Sequence, residues 1–350
     1  MIPAALALGE RSGSSGREVI EGIVAGYEVA NRVAAAVHPL HTLSGFLPTG
    51  TCGTFGAAAA SAKLMKLSDH ECLNALGCAG YLAPMSMAEH LMEGCTVKVV
   101  QGGAGASAGI LAAMLAADGV TGHHRVLEGT ELKGGFTQIT VRGEPVMERL
   151  VEGLGKRFTI LEGYFKPYSA CRHTHGAAQA TLELLEDAPF TAEEVESIKV
   201  RTYGIAFVAV GKGVSEGDGF VSAQFSIPYV VAACVVDGDM GPEQLMARRT
   251  GDPVLLGLSR RVKVEMSEEL NSLYPGKTPT AVEVSLRGGR KLSRQVDIPH
   301  GDPRDPMEED EIAGKVRRFA GGDRAGVEAV IEKALALEEL ESVEELTGLV

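Results

Sequence analysis

Apolar positions in the first part of the chain recur with a helical period. Val19, Ile20, Ile23, Val24, Tyr27, Val33 and Val37 fall on one face of residues 17–37, and Ser15-Gly-Arg-Glu18 ahead of them has the Ser-x-x-Glu form of a capping box. An Ala-rich run predicts a second helix over residues 54–67. Ser68-Asp-His-Glu71 repeats the capping pattern and starts a third helix reaching residue 83, and a fourth spans 104–117 with Gly119 as its stop. Small residues on these helices predict close helix–helix contact, which accounts for 44 glycines in a chain without low-complexity tracts.

Near residue 160 the pattern changes. Ile198, Val200 and Thr202 alternate as in a half-buried strand, read over residues 197–210 behind a turn capped by Thr191-Ala-Glu-Glu194. Residues 261–266 alternate in the same way. Residues 280–287 and 290–298, joined by Gly288-Gly289, read as a hairpin, because two glycines supply the positive φ angles of a two-residue turn. Helical periodicity returns over 308–319 and 325–337. The expected fold class is therefore mainly α with an α+β second domain. A large helical domain covers 1–160, with 307–350 returning to it, and a smaller mixed α/β lid domain covers 161–306.

Composition narrows the function classes. With 45% hydrophobic and 23% charged residues the chain reads as a soluble globular protein, and a net charge of -13 argues against nucleic acid and anionic membrane surfaces as partners. A small anionic substrate stays compatible, provided its site is locally cationic. Six cysteines without a CxxC pair read as reduced thiols, which places the chain in the cytoplasm. The longest apolar runs, rich in Ala and Gly, read as interrupted by charge, so no membrane span is expected, and no signal peptide is evident.

Cationic and proton-carrying residues concentrate in one place. Lys166-Pro-Tyr-Ser-Ala-Cys-Arg-His-Thr-His175 precedes an Ala-rich helical stretch, an arrangement suited to holding and activating a carboxylate; a solvated basic loop is the plain alternative. Pro48-Thr-Gly-Thr51 sits directly before a helix, where backbone amides and the hydroxyls of Thr49, Thr51 and Thr54 would meet an anion, or where the turn simply packs. Lys98 lies in a Gly-rich apolar stretch and needs a partner, a ligand or a path to solvent. Tyr229, in Phe225-Ser-Ile-Pro-Tyr229, stands at a helix start either as a reactive hydroxyl or as a satisfied core tyrosine. Dinucleotide-like and hydrolase-like Gly patterns between Gly103 and Gly109 are coincidences of composition. His173 and His175 lack the carboxylate or Cys pair a zinc site would need, so no metal is expected, and His38 and His41 read as surface residues.

These segments, in this order, resemble the MmgE/PrpD family, which includes 2-methylcitrate dehydratase, cis-aconitate decarboxylase and iminodisuccinate epimerase. The resemblance runs over roughly residues 2–319 and implies a cofactor-independent homodimer without metal. It implies catalytic roles for Lys98, Lys166, Tyr229 and His175, and substrate-binding roles for Thr51, Gln101, Arg172 and His173. The shared chemistry is a carbanion formed next to a carboxylate, stabilised by preorganised cations and served by a proton carrier. The expected activity is a lyase reaction, dehydration of a small hydroxy-polycarboxylate such as 2-methylcitrate. Alternatives are epimerisation of an amino- or imino-dicarboxylate, or a non-catalytic family remnant. Against the family pattern, an N-terminal stretch of about a hundred residues, domain-sized and bearing an Asp-rich run and a His, reads as missing. Leu47 stands where decarboxylase-like members carry a histidine, and Gln101 where many members carry one, which makes decarboxylation the least supported reaction.

Overall fold

The computed structural model describes residues 1–321 and 326–350. The protein is mainly α with an α+β portion. Two compact units are present: residues 1–90 with 97–162 and 316–350 form the first, and residues 91–96 with 163–315 the second.

Helices α1 (Ile2–Ser12), α2 (Gly16–Val37), α3 (Thr51–Leu64), α4 (Asp69–Leu82) and α5 (Gln101–Ala117) build most of the first unit. Both capping boxes form as expected, Ser15 with Glu18 and Ser68 with Glu71. Each satisfies two backbone N–H groups that a helix start leaves without partners. Glycine sets how closely the helices approach. A Cβ on Gly56 would lie 2.5 Å from the Gly26 carbonyl oxygen, so α2 and α3 cross backbone to backbone, and a Cβ on Gly109 would lie 2.4 Å from that of Ala57, where α5 meets α3. Phe55, fully buried, meets Phe136 edge-on at 4.9 Å and closes a core with Val33, Val37, Cys52 and Cys78.

The apolar run through α5 is not broken by charge, contrary to the expectation above. Thr96–Ala117 carries one charge, Lys98 near its start, and an 18-residue stretch within it has a mean hydropathy of 1.5. Its small residues let it pack against α1, α3 and α4.

In the second unit, helix α6 (His175–Asp187) precedes strand β1 (Val195–Thr202). The strand ends at Thr202, and residues 204–210, expected to continue it, form helix α7 (Gly204–Val210) instead. The run Ile-Ala-Phe-Val-Ala-Val lacks alternation, and the Asn271 side-chain oxygen accepts the Gly204 N–H at 2.8 Å, anchoring the helix start. Helix α8 (Ile227–Asp237) follows, then β2 (Val262–Met266), β3 (Thr280–Leu286) and β4 (Lys291–Val296). The sheet order is β2-β1-β3-β4, with β1 parallel to β2 and the remaining pairs antiparallel. Gly288 and Gly289 adopt φ of 137° and 84° in the β3–β4 turn, as the hairpin requires.

Helix α9 (Glu309–Phe319) begins in the second unit. Residues 307–315 go with that unit, not with the first, because Lys315 donates to the Lys166 carbonyl at 2.5 Å and Glu311 meets His300 at 3.0 Å. The last principal helix, α10 (Val327–Leu335), falls within the expected 325–337, of which Ala325 lies outside the described residues.

Candidate active site

The Pro48-Thr-Gly-Thr51 turn is a packing device. The Thr51 hydroxyl is 3% exposed; it donates to the Leu47 carbonyl at 3.1 Å and lies 2.8 Å from His41 Nε2, placed to accept that N–H. The Thr54 hydroxyl is likewise taken up by the Gly50 carbonyl at 2.7 Å. A Cβ on Gly50 would come within 1.8 Å of Ser86 Oγ, so only glycine lets this turn lie against residues 84–87. The donor hydrogens of both hydroxyls are therefore spent on holding the chain. His41 corrects a second expectation: it is 2% exposed, stacked on Phe46 at 5.2 Å, and burial lowers its pKa to about 4.

What the turn positions is Leu47, whose N–H donates to the Ser86 carbonyl at 2.7 Å. Leu47 lines a cavity of about 170 Å³ in the first unit together with Lys98, Gln101, His90 and the 84–87 segment. Lys98 lies in a short 3-10 turn, Thr96–Val100, directly ahead of α5, and Gln101 is the first residue of that helix. This cavity unites two of the expected site residues, Lys98 and Gln101, with Leu47, a position singled out as departing from the family pattern. A larger cavity of about 660 Å³ between α4 and residues 120–134 is walled mainly by carbon and contains none of the expected residues. The smaller one is the better candidate, because an ammonium, an imidazole and a carboxamide converge on it.

The cationic segment of the second unit is stitched inward. Arg172, 7% exposed, donates to the carbonyls of Pro299 at 2.7 Å and His300 at 2.8 Å, lies 3.9 Å from Asp302 and covers the Tyr164 ring at 4.6 Å. Its guanidinium fastens the 299–302 loop, with two of its donors spent on backbone carbonyls. His175, at the first turn of α6, is fully buried with Nε2 3.3 Å from the Ala170 carbonyl and, among the described residues, no hydrogen-bond partner at Nδ1. Burial first, then the nearby Arg172 charge, pulls its pKa down to about 3. A neutral imidazole enclosed in this way is not placed to act as a general base.

Tyr229 is the satisfied core tyrosine. It is fully buried, its hydroxyl donates to the Gln244 carbonyl at 2.5 Å, and burial pushes its pKa up to about 12. His173 is half-buried, with Nδ1 2.6 Å from the Tyr203 hydroxyl, and Lys166 is exposed. Tyr203 stacks on Tyr274 at 4.8 Å, and Tyr164 meets Arg172. This aromatic shelf escaped sequence reasoning, since its members lie far apart in the chain and belong to no motif.

Comparison with known proteins gives two family matches, the MmgE/PrpD N-terminal domain over residues 1–148 and the MmgE/PrpD C-terminal domain over residues 168–338. The expectation that the family's N-terminal part is missing does not stand, because the N-terminal domain is matched from residue 1. Among curated proteins the chain is 27% identical over 378 residues to a cis-aconitate decarboxylase-like protein, oryM, of Aspergillus oryzae, with 100% of this chain and 76% of that protein covered. It is 26% identical over 347 residues to human cis-aconitate decarboxylase, covering 96% of this chain and 69% of the relative. With the mouse cis-aconitate decarboxylase it is 27% identical over 319 residues, covering 87% and 62%.

Proposed function

Because the chain carries both domains of the MmgE/PrpD family and so belongs to it, we propose that it is a lyase that forms a carbanion next to a carboxylate held by Lys98. The observation that carries this reading is the convergence of Lys98, His90 and Gln101 on one small cavity. Negative charge developing on a carboxylate beside the reacting carbon is stabilised by an ammonium already in place. His90 is the cavity's candidate proton carrier, taking the proton from the carbon beside the carboxylate. Gln101 would orient the substrate through its carboxamide.

In the preferred reading the carbanion expels hydroxide, and a small hydroxy-polycarboxylate is dehydrated. Decarboxylation is the second reading, favoured by the names of the relatives. There, Lys98 would hold the carboxylate that remains, the departing one would leave as carbon dioxide with its bonding electrons left on carbon, and protonated His90 would deliver the proton that quenches the carbanion. Two incubations separate the two. Dehydration predicts a rise in ultraviolet absorbance from an unsaturated product of 2-methylcitrate, and decarboxylation predicts carbon dioxide from cis-aconitate. In either case Lys98→Met should lower kcat/KM by about a hundredfold or more. Turnover of neither substrate, together with solvent deuterium entering the α-carbon of an amino-dicarboxylate, would replace both readings with epimerisation.

A further inference from the structure

The walls of the Lys98 cavity say more about the ligand than its one cation does. Leu47, Met85, Met87, Val97 and Val100 contribute hydrocarbon, and among the described residues that line it there is no Asp, Glu or Arg, with Lys98 the one permanently charged side chain. Met85 and Val100 stand 73% and 55% exposed, so the mouth of the cavity keeps apolar surface in water. Resting on the reading of Lys98 as a carboxylate holder, we infer that this cavity selects a carboxylate bearing a short alkyl chain, with Leu47 and Val100 as the residues that set the preference.

Size and charge both limit the occupant. A cavity of about 150 Å³ accommodates benzene, so the about 170 Å³ here suits a carboxylate followed by three or four carbons. A second carboxylate entering alongside the first would shed water against Leu47 and the valines without meeting a second cation. An alkyl chain releases water from the same walls at no such cost. The substrate class is thereby narrowed to alkyl-substituted acids, with the alkyl branch and one carboxylate on the Lys98 side.

The test is calorimetric titration of the full chain with pentanoate, succinate and 1-pentanol. Pentanoate should bind on the order of tenfold or more tighter than succinate, as expected when several methylenes find an apolar pocket, and pentanol should bind more weakly than pentanoate. Val100→Asp, at an exposed position that folding tolerates, should weaken pentanoate by about tenfold or more, and Leu47→Asn should shift the preference the same way. Lys98→Met should weaken both acids. Equal binding of pentanoate and succinate, unchanged pentanoate binding by Val100→Asp, or no pentanoate binding by the unaltered chain overturns the alkyl preference. Full retention of acid binding by Lys98→Met instead overturns the carboxylate-holding role, and with it the reading on which this inference rests.

Discussion

Acidification from about pH 7 to about pH 5 should destabilise the fold through two buried imidazoles, and the size of the loss follows from their surroundings. His175 is fully buried, and its pKa falls from 6.5 to about 3; His41 is 2% exposed, and its pKa falls to about 4. In the unfolded chain both take up a proton as the pH drops below 6.5, while in the folded chain both stay neutral. The unfolded state therefore binds more protons in this window, so stability falls with falling pH and is fully present only above 6.5. At about 1.4 kcal/mol per pH unit, each imidazole accounts for a loss of about 2 kcal/mol by about pH 5. Urea unfolding of the unaltered chain, His175→Gln and His41→Gln at about pH 7, 6 and 5 measures this directly. Each variant should be weaker at neutral pH yet lose about 2 kcal/mol less on acidification, with carboxylate contributions cancelling in the comparison. Identical pH dependence for His175→Gln and the unaltered chain would refute the argument that burial keeps this imidazole neutral. A charged His175 in the nitrogen spectrum of the folded protein near pH 5 would do the same.

Further outcomes follow from the same contacts. His300, 3.3 Å from Asp305 and 3.0 Å from Glu311, has a raised pKa despite partial burial because both carboxylates favour its charged form. Its stabilisation is therefore present below 6.5 and lost as the pH rises through the folded pKa, so His300→Gln should cost stability near pH 6 and little near pH 9, read by thermal unfolding at the two values. Arg172→Met should destabilise by about 2–4 kcal/mol in urea, since it strands the Pro299 and His300 carbonyls, while Asp302 keeps its pairing with Arg304. Gly56→Val should cost about 1–3 kcal/mol or more, because its Cβ meets the Gly26 carbonyl of the facing helix, and the urea midpoint reports it. Tyr229→Phe should cost about 1 kcal/mol for the bond to Gln244 and leave kcat/KM nearly unchanged; a large fall in kcat would return Tyr229 to the catalytic machinery.

Elements set by neighbours in sequence were legible, and those set by distant partners were not. Ser15 and Ser68 cap their helices through residues three positions on, and Gly288-Gly289 turns its own hairpin, so local chemistry sufficed. Residues 204–210 became a helix because a cap arrives from Asn271, 67 positions away. The same asymmetry decided the site. The sequence places Lys166, Arg172, His173 and His175 in one short segment, yet it carries no signal for which way each side chain turns. Arg172 turns toward carbonyls 127 and 128 positions away, and His175 folds back beneath its own loop.

A dense cationic motif and a candidate site therefore need not coincide. Arginine offers five donors in a fixed fork, which makes it as effective at fastening a loop to a helix start as at gripping a carboxylate. In this chain the fastening is what the geometry provides, and Lys98 is the permanent cation among the described residues that line the candidate cavity. One ammonium in a hydrocarbon-walled space discriminates by what it lacks. On the proposed reading it would hold one carboxylate and leave a second without a counter-charge, so the two departures from the family pattern, Leu47 and Gln101, would bear on which acid is chosen as much as on which bond breaks.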